Sequence, residues 1–111
     1  MKNRIERINQ LIRKKIADIL LKEIFVKGFL ITVQSVDTSK DLKYAKVKVS
    51  VMPFSGWERV VKILEKQTSN VQNKLNSVIK IKFVPRIKFV IDKSEERADR
   101  IEALLKKIKS N

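Results

Sequence analysis

The sequence predicts a two-layer α+β domain: one three-stranded sheet with helices packed on one of its faces. Three observations lead there. In four stretches apolar residues recur at three- and four-residue steps, which is helical spacing, and in others they alternate singly, which is strand spacing. The stretches follow one another in the order α-β-β-α-α-β-α. A chain of 111 residues with 43% hydrophobic content also suits a single folded domain across residues 1–111.

The first helix is drawn by Ile5, Ile8, Ile12, Ile16, Ile19 and Leu20 and is expected over residues 4–26. Asn3 with Glu6 three residues on reads as a capping box, and Gly28 as the stop. Arg4, Arg7, Arg13, Lys14, Lys15 and Lys22 occupy the opposite face. Phe29 to Thr38 is rich in β-branched residues and reads as a strand. Ala45, Val47, Val49 and Val51 then alternate with Lys46, Lys48 and Ser50, the signature of a half-buried strand. The link 39–44 is short enough for an antiparallel hairpin, and Pro53-Phe54-Ser55-Gly56 ends the second strand.

Val60, Val61 and Leu64 form one short helix face; Val71, Leu75, Val78 and Ile79 form another. Between them Ser69 and Gln72 fit the S-x-x-Q capping box, so a helix is expected to restart there. Thr68, Ser69 and Asn70 in series compete with helical hydrogen bonding. The alternative is one continuous helix with Ser and Asn on its wet side. Ile81, Phe83, Ile87, Phe89 and Ile91 alternate with Lys80, Lys82, Arg86 and Lys88 as a third strand. Pro85 lacks a donor, which places that strand at an edge or puts a bulge in it. Ser94 caps a last helix, with Glu95 and Glu96 in its first turn and a buried stripe of Ala98, Ile101, Leu104, Leu105 and Ile108.

The absence of Cys excludes disulfides, thiolate metal sites and a cysteine nucleophile, and fits a reducing, cytoplasmic setting. The absence of His removes the commonest general base and metal ligand, so neither an enzyme nor a cofactor is expected. Glu95 and Glu96 are no catalytic pair, since adjacent helical residues diverge by about 100°. No apolar run approaches the ~20 residues of a membrane span.

The net charge of +14 points to an anionic partner. It is unevenly spread: residues 59–91 hold eight Lys and Arg against Glu65 alone, and residues 1–27 hold eight against three acids. A merely solvated face would mix in acids. The restart at Ser69 would add free N–H groups and a positive dipole end. The expected RNA-binding residues are therefore Lys62, Lys66, Gln67, Thr68, Ser69, Asn70, Asn73, Lys74, Lys80, Lys82, Arg86 and Lys88. Phe54, Trp57 and Tyr44 are read as anchors into the core rather than base-stacking rings. Composition alone leaves an assembly factor, a permanent ribosomal protein and a nucleoid-type DNA binder open.

Two stretches add a resemblance. Val36-Asp37-Thr38-Ser39 running through Asp41-Leu42-Lys43-Tyr44-Ala45-Lys46-Val47, and Val84-Pro85-Arg86-Ile87-Lys88-Phe89-Val90-Ile91-Asp92-Lys93-Ser94 followed by Arg100-Ile101, resemble the ribosome-binding factor A family. The first helix fits too, through Arg7-Ile8 and Ile16-Ala17-Asp18-Ile19-Leu20. The resemblance implies a type II KH-like fold and a protein that binds the maturing small ribosomal subunit and its rRNA. It further implies help with late maturation and 5′-end processing, chiefly in the cold, with the free protein monomeric. Members kink their central helix at an Ala-x-Gly, where this chain has Gln67-Thr68-Ser69.

Overall fold

The computed structural model describes residues 3–109, the side chains of residues 95–99 excepted. The elements are α1 (Arg4–Glu23), β1 (Leu30–Thr38), β2 (Tyr44–Met52), a 3-10 turn at Phe54–Gly56, α2 (Trp57–Val78), β3 (Arg86–Ile91) and α3 (Ser94–Lys109). The Asn3 side chain accepts the Glu6 N–H at 2.8 Å and opens α1. The helix ends three residues sooner than its apolar spacing suggested. Ile24 leaves the helical conformation, Val26 drops into the core, and Gly28 turns the chain toward β1 at φ +87°.

β2 is the central strand. It pairs antiparallel with β1, from Leu30 opposite Met52 to Thr38 opposite Ala45, and parallel with β3, from Tyr44 opposite Arg86 to Val49 opposite Ile91. The parallel pairing needs a crossover, and α2 supplies it. Ala45, Val47, Val49 and Val51 are buried, as their alternation predicts. They meet Ile12 and Ile16 from α1 and Val60, Leu64, Val71 and Leu75 from α2 in one cluster. Each buried Val, Leu or Ile side chain contributes roughly 1.5–3 kcal/mol by leaving water. The register of β1 slips between Val33 and Ser35, a bulge at Gln34. It moves the inward set from Ile31 and Val33 to Val36 and Thr38. Buried Thr38 donates its N–H and hydroxyl to the side-chain amide oxygen of Asn9, tying β1 to α1.

Three expectations are corrected. The helix does not restart at Ser69: α2 runs unbroken from Trp57 to Val78. Thr68 turns its hydroxyl back onto the Leu64 carbonyl at 2.8 Å, and the Asn70 amide donates to Gln67 at 3.1 Å. The polar side chains thus find partners along the helix, while Val60, Leu64, Val71 and Leu75 keep one continuous buried stripe. Second, β3 starts after Pro85 rather than near Ile81. Pro85 is fully buried, and Phe83 is exposed instead of facing the core. The strand does lie at the edge. Gln72 covers that edge, accepting the Ile87 N–H at 2.8 Å and donating to the Pro85 carbonyl at 3.1 Å.

Third, the stripe of the last helix is not buried. Ile101, Leu104, Leu105 and Ile108 are all at least half exposed; Ala98 and the first-turn Glu95 and Glu96 lie outside the described side chains. The turn before α3 is held by Asp92, whose carboxylate accepts the Ser94 N–H and hydroxyl. The extents of 61 × 35 × 18 Å and the radius of gyration of 16.6 Å reflect the projecting helix. A compact chain of this length would have a radius near 13 Å, by the usual scaling.

Candidate nucleic-acid interface

Helical geometry sorts the expected residues on α2. Its buried stripe points at the sheet, so Lys62, Lys66, Ser69 and Asn73, about half a turn away, point outward. With no helix start at Ser69, no set of free N–H groups exists there, and the outer face acts through side chains alone. Gln67, Asn70 and Lys74 lie on the flank toward α1, lining a narrow crevice with Ile19 and Glu23. Lys74 Nζ is 2.9 Å from Glu23 Oε1, a surface ion pair. Thr68 is half-buried, and its hydroxyl is already engaged by Leu64.

Arg86 and Lys88 lie on the open face of the sheet, away from both helices. Lys88 pairs across the strands with Lys46, and Arg86 with Tyr44. Acids temper this face: Asp37 lies opposite Lys46, and Asp92 sits near Lys48. The hydroxyl and N–H of Ser94, with help from Lys48, hold the Asp92 carboxyl below the usual carboxylate range. The expected residues therefore do not form one patch. They divide between the outer face of α2 and the opposite, open face of the sheet.

A cleft of about 830 Å³ opens at one end of the sheet. Lys82 and Arg86 line it, with Arg4 from the start of α1 and Lys43 and Tyr44 from the β1–β2 turn. Lys80 is exposed just ahead of them. The turn is tightly built. Ser39 N–H donates to the Tyr44 carbonyl at 2.8 Å, and Leu42 sits at φ 63°. Asp41 accepts the Ser39 hydroxyl at 2.6 Å and the Lys43 N–H at 3.1 Å. These two bonds hold its carboxyl below the usual carboxylate range. Arg86 N–H, at 2.9 Å from the Lys43 carbonyl, fixes the start of β3 to the same turn.

Sequence reasoning missed Arg4, Lys43, Tyr44 and Phe83 as neighbours, since they come from three separate elements. Tyr44 was expected as an anchor, yet its ring stands mostly in solvent because its strand position faces the open side. Trp57 does behave as an anchor: half-buried against the core, stacked on Phe54 at 6.0 Å, with Lys93 Nζ 4.4 Å from its ring centre. Among the described residues no group of acids could hold a metal ion, and no helix is long and apolar enough to cross a membrane.

Residues 4–105 match the family model described as ribosome-binding factor A. Ribosome-binding factor A of Halothermothrix orenii is 37% identical over 111 residues, covering 97% of this chain and 90% of the relative. That of Dictyoglomus thermophilum is 36% identical over 112 residues, covering 97% and 92%. Among solved structures, the crystal structure of Thermus thermophilus ribosome-binding factor A superposes with a TM-score of 0.71 at 19% identity, covering 80% of this chain and 97% of that one. A homology model of the Thermus thermophilus protein, fitted into a cryo-EM map of a 30S complex, gives 0.66 at 20% identity over 84% and 97%. Both structural likenesses bear on the fold.

Proposed function

The chain belongs to the ribosome-binding factor A family, and from that premise we propose that it is a cytoplasmic assembly factor for the small ribosomal subunit. It acts as one RNA-binding domain of type II KH-like build, monomeric when free, gripping the rRNA of immature subunits and leaving before translation. It assists late maturation and 5′-end processing of that rRNA, chiefly at low temperature, and performs no catalytic step itself. The Thermus protein of the same fold has been placed in a 30S complex, which supports the choice of partner.

One observation carries the mechanism. Of the lysines and arginines among the expected residues, all are exposed, and only Lys74 has a carboxylate partner among the described residues. Unpaired cations gathered on each of these faces repel one another, and a phosphate backbone relieves that repulsion while releasing its counterions. Lys62 and Lys66 on α2, Lys82 and Arg86 at the cleft and Lys80 just ahead of them are the contacts we assign, with Lys88 extending them over the sheet. Four to six contacts would give a log–log salt slope of roughly −3 to −4, at about −0.7 per phosphate.

The test is sedimentation of cell extract on a sucrose gradient. The protein is expected with immature small subunits and absent from mature ones washed in high salt. Retention on mature subunits would mark a permanent ribosomal component and overturn the proposal.

A further inference from the structure

Phosphate capture needs cations and N–H donors; it gives no reason for apolar rings to stand in solvent beside them. The cleft at the end of the sheet has two. Phe83 is 74% exposed and Tyr44 is 59% exposed, and both line it with Leu42, Ile81 and Val84. Large aromatic side chains are ordinarily the most rewarding groups to bury. Here Pro85 and the Gln72 hydrogen bonds pin the chain just after Phe83, so the ring is held at the rim. Lys82 Nζ lies 5.6 Å from the Phe83 ring centre and adds a cation to the same wall.

The β1–β2 turn that lines the cleft is equally fixed. Leu42 adopts the left-handed conformation at φ 63°, an unfavourable region for a bulky side chain and one found preferentially at ligand sites. Asp41 is the one acid of the lining, and both its hydrogen bonds stay within the turn. Arg4, Lys43, Lys82 and Arg86 therefore leave the mouth positive. A volume of about 830 Å³ falls in the range of small-ligand pockets.

We propose that this cleft receives one unpaired nucleotide of a single-stranded RNA segment. Its base lies against Phe83 and Tyr44, and the adjoining phosphates meet Arg4, Lys43, Lys82 and Arg86. Base stacking on an aromatic face tolerates any base, and it is possible only where the base has left a duplex. The cleft thus marks single-stranded rRNA, whereas the outer face of α2 responds to any phosphate backbone. This inference rests on the RNA-binding function proposed above.

The experiment uses the full chain and two dye-labelled probes: an adenosine ribohexamer and the same hexamer with abasic riboses, followed by fluorescence anisotropy. The wild type is expected to bind the adenosine probe about tenfold more tightly than the abasic one. Phe83→Ala and Tyr44→Ala, both at exposed positions, should each remove most of that difference and leave abasic binding unchanged. Phe83→Leu keeps apolar bulk without an aromatic face and should behave like Phe83→Ala. The pair Lys62→Glu with Lys66→Glu should weaken both probes alike. If Phe83→Ala and Tyr44→Ala bind the adenosine probe like the wild type while the lysine pair weakens it, the cleft proposal falls and the phosphate proposal stands. Failure of the wild type to bind either probe would overturn both.

Discussion

Replacing Gln72 with Ala should destabilise the protein more than any other polar substitution on α2. Its amide oxygen takes the Ile87 N–H and its amide nitrogen donates to the Pro85 carbonyl, so one side chain closes the free edge of β3. A net hydrogen bond contributes about 1 kcal/mol, and leaving the Ile87 donor unsatisfied in a half-buried position adds part of a desolvation penalty. The sum is about 2 kcal/mol, a sizeable share of a typical total stability of about 5–15 kcal/mol. For a domain of this size the midpoint of thermal unfolding should fall by on the order of 10 °C. Gln72→Glu keeps the acceptor for Ile87 and loses the donor to Pro85, so it should fall between Ala and wild type. Asn76→Ala removes only the exposed contact of Gln72 with Asn76 and is the control. Circular dichroism melts give the midpoints, and amide exchange reads the edge directly, with Ile87 exchanging about 30-fold faster in Gln72→Ala. An unchanged midpoint together with unchanged Ile87 protection would refute the role given to Gln72.

Other outcomes follow from the same structure. Val49→Asp buries an unpaired charge in the core and should cost several kcal/mol, approaching total stability, whereas Lys48→Asp on the open face should leave the melt nearly unchanged. Leu105→Glu should shift stability by no more than about 0.5 kcal/mol, since α3 presents that residue to solvent; a large loss would return the stripe to the core. Lys62→Glu with Lys66→Glu should weaken rRNA binding more than Lys106→Glu with Lys107→Glu, an equal change of charge on α3; equal weakening would leave net charge as the sole determinant. Asp41 and Asp92 have lowered pKa values, so each adds stability that is complete above about pH 4–5 and is lost as the pH falls below about 4. Carboxyl titrations followed by NMR should give midpoints below the free value for both, and Asp41→Asn should flatten the acid limb of the stability curve.

Several elements could be read from the chain because their signals are local. The Asn3 cap needs only Glu6, and the facing of β2 needs only its own alternation. The errors share a different character, since each turned on whether a partner distant in sequence is present. Ser69 and Gln72 look like a capping box, but Gln72 is engaged by a strand 15 residues on. The β1 bulge is written in the spacing of Ile31, Val33, Val36 and Thr38, yet it becomes apparent only against the partner strand. The stripe on α3 has perfect helical periodicity, and periodicity says which face is apolar without saying what, if anything, covers it. The candidate site divides along the same line. Its charge density was visible in residues 59–91, but the two-sided arrangement, the cleft and the contributions of Arg4, Lys43, Tyr44 and Phe83 depend on topology.

The parallel pairing of β2 with β3 also bears on how the chain is born. During synthesis from the N-terminus, β1 and β2 can zip together early, because their hairpin is short. The other side of β2 has no partner until Ile91 has been made and α2 has crossed the sheet. Until then the strand with the most buried side chains in the finished fold offers a bare row of backbone donors and acceptors, the kind of template on which chains stick to one another. Lys46 and Lys48 on that strand put like charges on any two nascent copies that approach edge to edge. Charge repulsion between the β2 lysines thus opposes sticking while the chain is unfinished.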